Sequence, residues 1–101
     1  MGKTVKLKNN ICLDYSSIRK YARNGNNGDD FNDYTTSGYY IFNEKTSIVN
    51  SPVGSSVDGI LVVEETKKSN MLFQLFYDQL SNTYSFRVYW FGIVWRPWKK
   101  I

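Results

Sequence analysis

The stretch 71–101, MLFQLFYDQLSNTYSFRVYWFGIVWRPWKKI, decides the fold. It contains two runs whose apolar side chains recur at every second residue, which is the side-chain repeat of a β-strand. Residues 79–82 between them favour a turn. We therefore predict a hairpin with one face apolar or aromatic at every rung. Its pairs are Tyr77–Tyr84, Leu75–Phe86, Phe73–Val88 and Met71–Trp90.

The opposite face of the same hairpin is mixed in character. It pairs Phe76 with Ser85, Gln74 with Arg87 and Leu72 with Tyr89. We expect the aromatic face to be the core and the mixed face to be free to meet another molecule.

Composition narrows the range of functions. The chain has 101 residues, no histidine and one cysteine, Cys12. Without histidine it lacks the commonest general base and the commonest metal ligand, and one cysteine allows no intrachain disulfide. No apolar run approaches the roughly 18 residues of a membrane-spanning helix, and the N-terminus has no signal-peptide core. We predict one domain with no cofactor, no metal site and no membrane insertion.

The net charge of +4 is distributed in blocks along the chain. Residues 1–28 carry six basic residues against one acidic residue, a net charge of +5. Residues 29–65 have a net charge of −6, and residues 66–101 again have +5. A nucleic-acid binder usually concentrates its basic charge on one surface, so a basic, aromatic nucleic-acid-binding β domain is only the alternative function.

The order of the segments predicts a mainly β fold: an antiparallel meander of four or five strands with one short N-terminal helix. The alternative fold class is α+β. Residues 1–29 would form an N-terminal arm, and residues 30–101 a β domain. The arm would contain a strand at 4–8, a short helix from 14 or 16 to 24 and a polar loop at 24–30, although 15–18 also suit an extended segment. The domain would contain strands at 39–42 and 60–63, a long loop at 43–59 with a short strand at 47–49, and a final strand within 94–101.

Six segments of the chain, taken together, resemble one known family. They are DFNDYTTSGYY (30–40), NSPVG (50–54), GILVV (59–63), QLFYD (74–78), FRVY (86–89) and WRPWKKI (95–101). The pattern is similar to the knob-like domain found near or at the ends of phage tail fibres and R-type pyocin fibres, and it covers roughly residues 30–101. The arm segments 5–10 and 14–18 also resemble tail proteins of prophages in Gram-positive bacteria.

The resemblance implies a non-enzymatic binding or structural module of a tail fibre. Such a module is made in the bacterial cytoplasm, becomes part of the virion tail and contributes to attachment to the bacterial surface. Its expected partners are a surface glycan or cell-wall polymer and other fibre subunits, which usually form a homotrimer. Family membership leaves receptor binding and a spacer role both open.

The chain departs from the family pattern before its last strand. Family members tend to have a polar turn there, whereas this chain has Trp90-Phe91-Gly92-Ile93-Val94-Trp95. A two-residue hairpin turn of type I′ needs positive φ at both central residues, which phenylalanine disfavours. Either the turn shifts or a wider loop forms. If this loop is exposed, Phe91, Ile93 and Val94 form an apolar tip. Packing of the tip under a neighbouring loop is the preferred explanation, a contact with another subunit is the second, and a direct contact with the receptor is the third.

The candidate ligand site lies on the mixed hairpin face and the final strand. Stacking and directional hydrogen bonding to sugars require aromatic faces and polar side chains. The predicted residues are Gln74, Arg87, Tyr89, Trp95 and Trp98. The alternatives are that the tryptophans, above all Trp90, belong to the core and that Gln74 and Arg87 form a surface pair.

No catalytic residue is predicted. Glycoside hydrolysis needs two carboxylates at a set separation. Asp29, Asp30 and Asp33 lie in a turn, and Glu64 and Glu65 would face opposite sides of a strand.

Overall fold

A computed structural model describes residues 22–66 and 70–101, which form one sheet of seven strands. The strands are β1 (Arg23–Asn24), β2 (Gly38–Lys45), β3 (Val57–Thr66), β4 (Met71–Asp78), β5 (Thr83–Trp90), β6 (Val94–Trp95) and β7 (Lys99–Lys100). They follow one another across the sheet from β1 to β6, and β7 also pairs with β5. All pairings are antiparallel except that of β1 with β2. The prediction of a mainly β, antiparallel meander is confirmed.

The predicted hairpin register is also confirmed. Leu75 lies opposite Phe86 and Gln74 opposite Arg87, and the ladder runs from the Leu72–Tyr89 pair to the Asp78–Thr83 pair. The turn between the strands is tied by the carboxylate of Asp78, which accepts hydrogen bonds from the backbone N–H and the hydroxyl of Ser81.

A short 3₁₀ helix, Phe31–Asp33, closes one face of the sheet. Asp30 caps it by accepting a hydrogen bond from the backbone N–H of Asn32 at 2.8 Å. The cap presents Phe31 to the sheet, where its ring centroid lies 4.9 Å from that of Phe42 and 5.2 Å from that of Phe76. Ring pairs at these separations stabilise a fold by more than the free energy gained from the apolar area that they bury. The buried core consists of Phe31, Tyr40, Phe42, Ile48, Val57, Leu61, Val63, Leu72 and Phe76.

The expectation about which hairpin face forms the core is wrong. The buried face is the mixed one, with Gln74 at 0% and Arg87 at 5% exposure. On the aromatic face, Phe73 is 42%, Tyr84 49% and Trp90 44% exposed. Strand alternation shows which side chains share a face but not which face a neighbouring segment covers. Here the covering segment is the 3₁₀ helix, and it lies on the mixed side because Gln74 satisfies its backbone carbonyl groups.

Other predicted elements are confirmed or corrected in detail. Residues 60–63 lie in the central strand β3, which pairs with β2 on one side and β4 on the other. The strand predicted at 47–49 is reduced to a single bridge between Asp30 and Val49. The final stretch forms two short strands, separated by Arg96, Pro97 and Trp98, and both pair with β5.

The predictions for the N-terminal arm fall largely outside the described residues. These are the strand at 4–8 and the start of the helix at 14 or 16. The end of the predicted helix is described, and there the prediction is wrong, because Arg23 and Asn24 pair with Tyr40 and Ile41 as strand β1.

Candidate functional site

The five predicted site residues do come together. Strand pairing places Gln74 beside Arg87 and Tyr89 beside Trp95. The guanidinium carbon of Arg87 lies 3.8 Å from the ring centroid of Trp95 and 4.6 Å from that of Trp98. Trp95 in turn stacks on Tyr89 at 4.7 Å. The final stretch pairs with β5 and therefore brings tryptophan rings to the Gln74–Arg87 rung.

The polar pair at the centre of this cluster serves the interior of the protein. The amide nitrogen of Gln74 donates hydrogen bonds to the carbonyl oxygens of Phe31 at 2.7 Å and Tyr34 at 2.9 Å. Its amide oxygen accepts a bond from Nε of Arg87 at 2.8 Å. All of the hydrogen-bonding groups of this amide are thereby engaged within the fold. Gln74 and Arg87 clamp the 3₁₀ helix and the C-terminal stretch to the sheet and are inaccessible to a ligand.

The charge of Arg87 is retained in this buried setting. Burial lowers the pKa of Arg87 to about 10, and the carboxylate of Asp30 acts in the opposite direction. At neutral pH the guanidinium is therefore protonated and held between two indole rings, where a cation is favoured by the ring quadrupoles. Trp98 is fixed at the other end by donating a hydrogen bond from Nε1 to the carbonyl oxygen of Asn50 at 2.9 Å. Tyr89, Trp95 and Trp98 are only partly buried and remain predicted ligand contacts.

The apolar tip is exposed. Phe91, Ile93 and Val94 all have large accessible fractions. Three residues, 91–93, separate the paired residues Trp90 and Val94, and the N–H of Ile93 donates to the carbonyl oxygen of Trp90 at 3.0 Å. Phe91 adopts φ of 50° and Gly92 φ of 65°. The turn therefore has the two positive φ values that a phenylalanine disfavours, and the tip has one residue more than a two-residue turn.

The aromatic side of the sheet forms a second surface, which we call the open face. Its apolar residues are Tyr39, Ile41, Ile60, Val62, Met71, Phe73, Leu75, Tyr77, Tyr84, Phe86, Val88 and Trp90, and Glu64 lies on the same side. Strand register arranges these side chains in rows across the sheet, one of which runs from Tyr39 through Val62 and Leu75 to Phe86. Another runs through Ile41, Ile60, Tyr77 and Tyr84. None of these residues belongs to the buried core.

Two basic residues border the open face at its β5 edge. Lys99 pairs with Phe86, and paired residues in an antiparallel ladder point to the same side. The guanidinium carbon of Arg96 lies 5.9 Å from the ring centroid of Trp90. Cavities of about 280 Å³ and about 360 Å³ lie along this edge, and both are lined by Val88 and Arg96.

Sequence reasoning missed Arg96 and Lys99 as site residues because it treated 99–100 simply as a basic C-terminus. The signal that identifies them is the register of the final stretch. Once Trp95 is placed opposite Tyr89, alternation puts Arg96 on the other side of the sheet, and the break at Pro97 resets the pairing so that Lys99 meets Phe86.

The described acidic side chains act largely within loops. Asp29 accepts hydrogen bonds from the N–H of Asn26 and the hydroxyl of Tyr34. Burial, followed by this bond to Asp29, raises the pKa of Tyr34.

Within residues 22–66 and 70–101, no group of three or more potential ligands is placed to hold a metal ion. No helix in this same part of the chain is long and apolar enough to span a membrane.

Comparison of the chain with protein-family models, curated proteins and solved structures found no match.

Proposed function

We propose that this chain is a non-enzymatic binding or structural module of a phage or prophage tail fibre. In this role it is part of the virion tail and contributes to attachment to the bacterial surface through a cell-wall or surface glycan. Two arguments support the proposal. Six segments resemble the knob-like fibre domain, and the open face carries exposed aromatic side chains on the adjacent strands β4 and β5. The open face is the observation that carries the proposal.

An antiparallel sheet usually buries one face and solvates the other with polar side chains. Here the outer face carries Phe73, Tyr84 and Trp90, each more than 40% exposed. Strand spacing and rise give the four long strands a plan area of roughly 500 Å². The exposed rings lie within this area, and contiguous exposed apolar patches on monomers are often functional. A face of this extent suits a glycan or a contact repeated in an assembly.

Flat aromatic rings are suited to sugars because the C–H faces of a pyranose are apolar and its edges are polar. The open face offers such rings on neighbouring strands, including the Tyr77–Tyr84 pair, whose centroids lie 4.7 Å apart. One site of this kind binds weakly, and a fibre that presents several copies gains avidity by multivalency. We propose that the chain is a homotrimer in the assembled fibre. Sedimentation equilibrium of the fibre would measure the number of chains.

The carboxylates support a non-catalytic role. Asp30 accepts hydrogen bonds from the N–H of Asn32 and the amide of Asn50, both at 2.8 Å. Asp78 accepts a backbone N–H bond from Asp58 at 3.2 Å. These groups cap loops and turns, whereas a glycosidase needs a pair that faces a bound substrate.

Binding of the fluorescently labelled chain to a panel of whole bacterial cells tests the proposal. Tyr84→Ser should reduce binding to any cell type that the wild type recognises. Leu80→Ser is the matched control, because Leu80 is more exposed than Tyr84 but lies in the hairpin turn. Leu80→Ser should keep the wild-type Tm, whereas Tyr84→Ser, which truncates a half-exposed ring in contact with Tyr77, should lower Tm modestly while circular dichroism still shows the folded sheet. Binding to no cell type, or equal losses from both variants, would count against an attachment role for the open face.

A further inference from the structure

We infer that the β5 edge of the open face, between Trp90, Arg96 and Lys99, binds an acidic sugar unit of a surface polysaccharide. By an acidic unit we mean one that carries a single negative charge. This inference rests on the proposed attachment function and specifies the class of glycan that the open face recognises.

The site is a groove along β5. Its first cavity, of about 280 Å³, is lined by Met71, Val88, Trp90 and Arg96. Its second, of about 360 Å³, is lined by Phe86, Arg87, Val88, Arg96, Pro97 and Lys99. The two share Val88 and Arg96, so they are adjacent along the strand, and we refer to them together as the groove. Volumes of this order are those of small-molecule binding clefts.

The groove combines two recognition chemistries. Trp90, Val88 and Phe86 provide an apolar floor on which the C–H face of a sugar ring can stack. Arg96 and Lys99 are exposed and provide positive charge at the groove. Within the described residues, Arg96 contacts the Trp90 ring and neither cation forms an ion pair with a carboxylate. Their hydrogen-bond donors are therefore available to an anionic ligand, and a guanidinium suits carboxylate and phosphate groups alike.

The charge distribution limits how many negative charges the site accepts. Glu64 lies on the same face, opposite Phe73, which in turn lies opposite Val88. Two strand spacings place this carboxylate roughly 10 Å from the groove. A polyanion that crossed the sheet would meet Glu64, whereas a unit with one charge at the β5 edge would contact only the two cations. This arrangement favours an acidic polysaccharide over a nucleic acid, which needs a continuous basic track.

The test is a titration of the full chain with four defined polymers at two salt concentrations. The probes are a polygalacturonate oligomer for sugar carboxylates, a phosphomannan for sugar phosphodiesters, dextran as the neutral glycan and oligo(dT) as the nucleic acid. We expect binding to at least one of the two anionic non-nucleic polymers, with dextran at least tenfold weaker. Comparison of the two anionic probes identifies which anion the site prefers.

Variants locate the binding. Arg96→Gln and Lys99→Gln should each weaken binding by about tenfold or more, and Trp90→Ala should do the same while Trp90→Phe retains most of the affinity. Lys100→Gln is the matched control, because it removes the same charge from the neighbouring residue, which pairs with Ser85 and so points to the other side of the sheet. It should bind like the wild type. Arg96, Lys99 and Lys100 are exposed, so their glutamine variants should keep the wild-type Tm. Trp90→Ala truncates a half-exposed ring and should lower Tm modestly, with circular dichroism still showing the folded sheet.

Four results would overturn the inference: dextran bound as tightly as the anionic polymers, no binding to any probe, equal losses from Lys99→Gln and Lys100→Gln, or oligo(dT) bound most tightly with a steep salt dependence. Failure of the inference is distinct from failure of the proposed function. A chain that binds cells but neither anionic probe still attaches, by a site of different chemistry. A chain that binds neither cells nor probes refutes both.

Discussion

Replacement of Gln74 by alanine should destabilise the fold far more than replacement of its neighbour Phe73. The two residues are adjacent in β4 and point to opposite faces, so the comparison tests directly which face is the core. A ranking by hydrophobicity alone predicts the reverse, because phenylalanine is the larger apolar side chain. The structure predicts that the polar residue matters more.

The expected magnitude follows from the contacts of each side chain. Gln74→Ala removes two hydrogen bonds to the carbonyl groups of Phe31 and Tyr34 and one from the guanidinium of Arg87. Roughly 1 kcal/mol for each carbonyl bond and about 2 kcal/mol for the bond to a charged donor give about 4 kcal/mol. The cavity left behind adds roughly 1 kcal/mol. Phe73 is almost half exposed, so its truncation should cost about 1–1.5 kcal/mol.

Urea-induced unfolding, followed by tryptophan fluorescence, measures both values. Gln74→Met is the second variant, because it keeps the side-chain volume and removes the hydrogen bonds, and it should cost about 3–4 kcal/mol. A loss of this size is a large part of the 5–15 kcal/mol typical of a domain. If Phe73→Ala is the more destabilising change, or if Gln74→Met is neutral, the assignment of faces is incorrect.

Three further predictions concern other parts of the sheet. Gly59→Ala should cost at least about 3 kcal/mol in urea unfolding, because its Cβ would overlap the backbone carbonyl oxygen of Tyr77; Gly54→Ala has open space around its Cβ but a φ of 95°, so it should cost about 1–2 kcal/mol. Phe91→Asn should raise the free energy of unfolding by up to about 1 kcal/mol, since asparagine tolerates φ of 50° better; an unchanged or lower Tm would show that the turn is unstrained. The contribution of Tyr34 to the free energy of unfolding should fall as pH rises above about 10, because burial raises the pKa of Tyr34 and the folded chain keeps a proton that the unfolded chain loses. Burial lowers the pKa of Arg87 to about 10, so Arg87 acts in the opposite direction above that pH, and the comparison is with Tyr34→Phe, which should lose less stability between pH 9 and 11 than the wild type.

Local pattern was enough to predict the strands and the hairpin register. Period-two alternation over 71–78 and 83–90 allows one register that keeps like residues on one face, and a slip of one residue would exchange the faces. The expectation that a ligand site combines the mixed hairpin face with the final strand grouped Trp95 and Trp98 with Gln74 and Arg87, and pairing of the final stretch with β5 does bring their rings to Arg87. The position and register of two paired strands depend on residues within those strands, so the sequence of the strands is enough to predict both.

The assignment of the core required information from a distant segment. Gln74 looks like a surface residue until the 3₁₀ helix, about 40 residues earlier in the chain, supplies two carbonyl groups for its amide. Arg87 looks equally exposed until Trp95 and Trp98 enclose it. A buried polar residue is stable only when its partners are in place, and alternation within the hairpin does not reveal partners in other segments. The open face and its basic edge were missed for the same reason.

Hydroxyl-radical footprinting of the full chain, free and bound to cells, tests the central claim most directly, because it reports the accessibility of individual rings. In the free chain, the open-face rings of Phe73, Tyr84 and Trp90 should be oxidised faster than the core rings of Phe31, Phe42 and Phe76. In the presence of cells that bind the chain, oxidation of the open-face rings should fall while that of the core rings stays low. Equal oxidation of both sets in the free chain, or open-face rings that remain as reactive when bound as when free, would contradict the claim that this face mediates attachment.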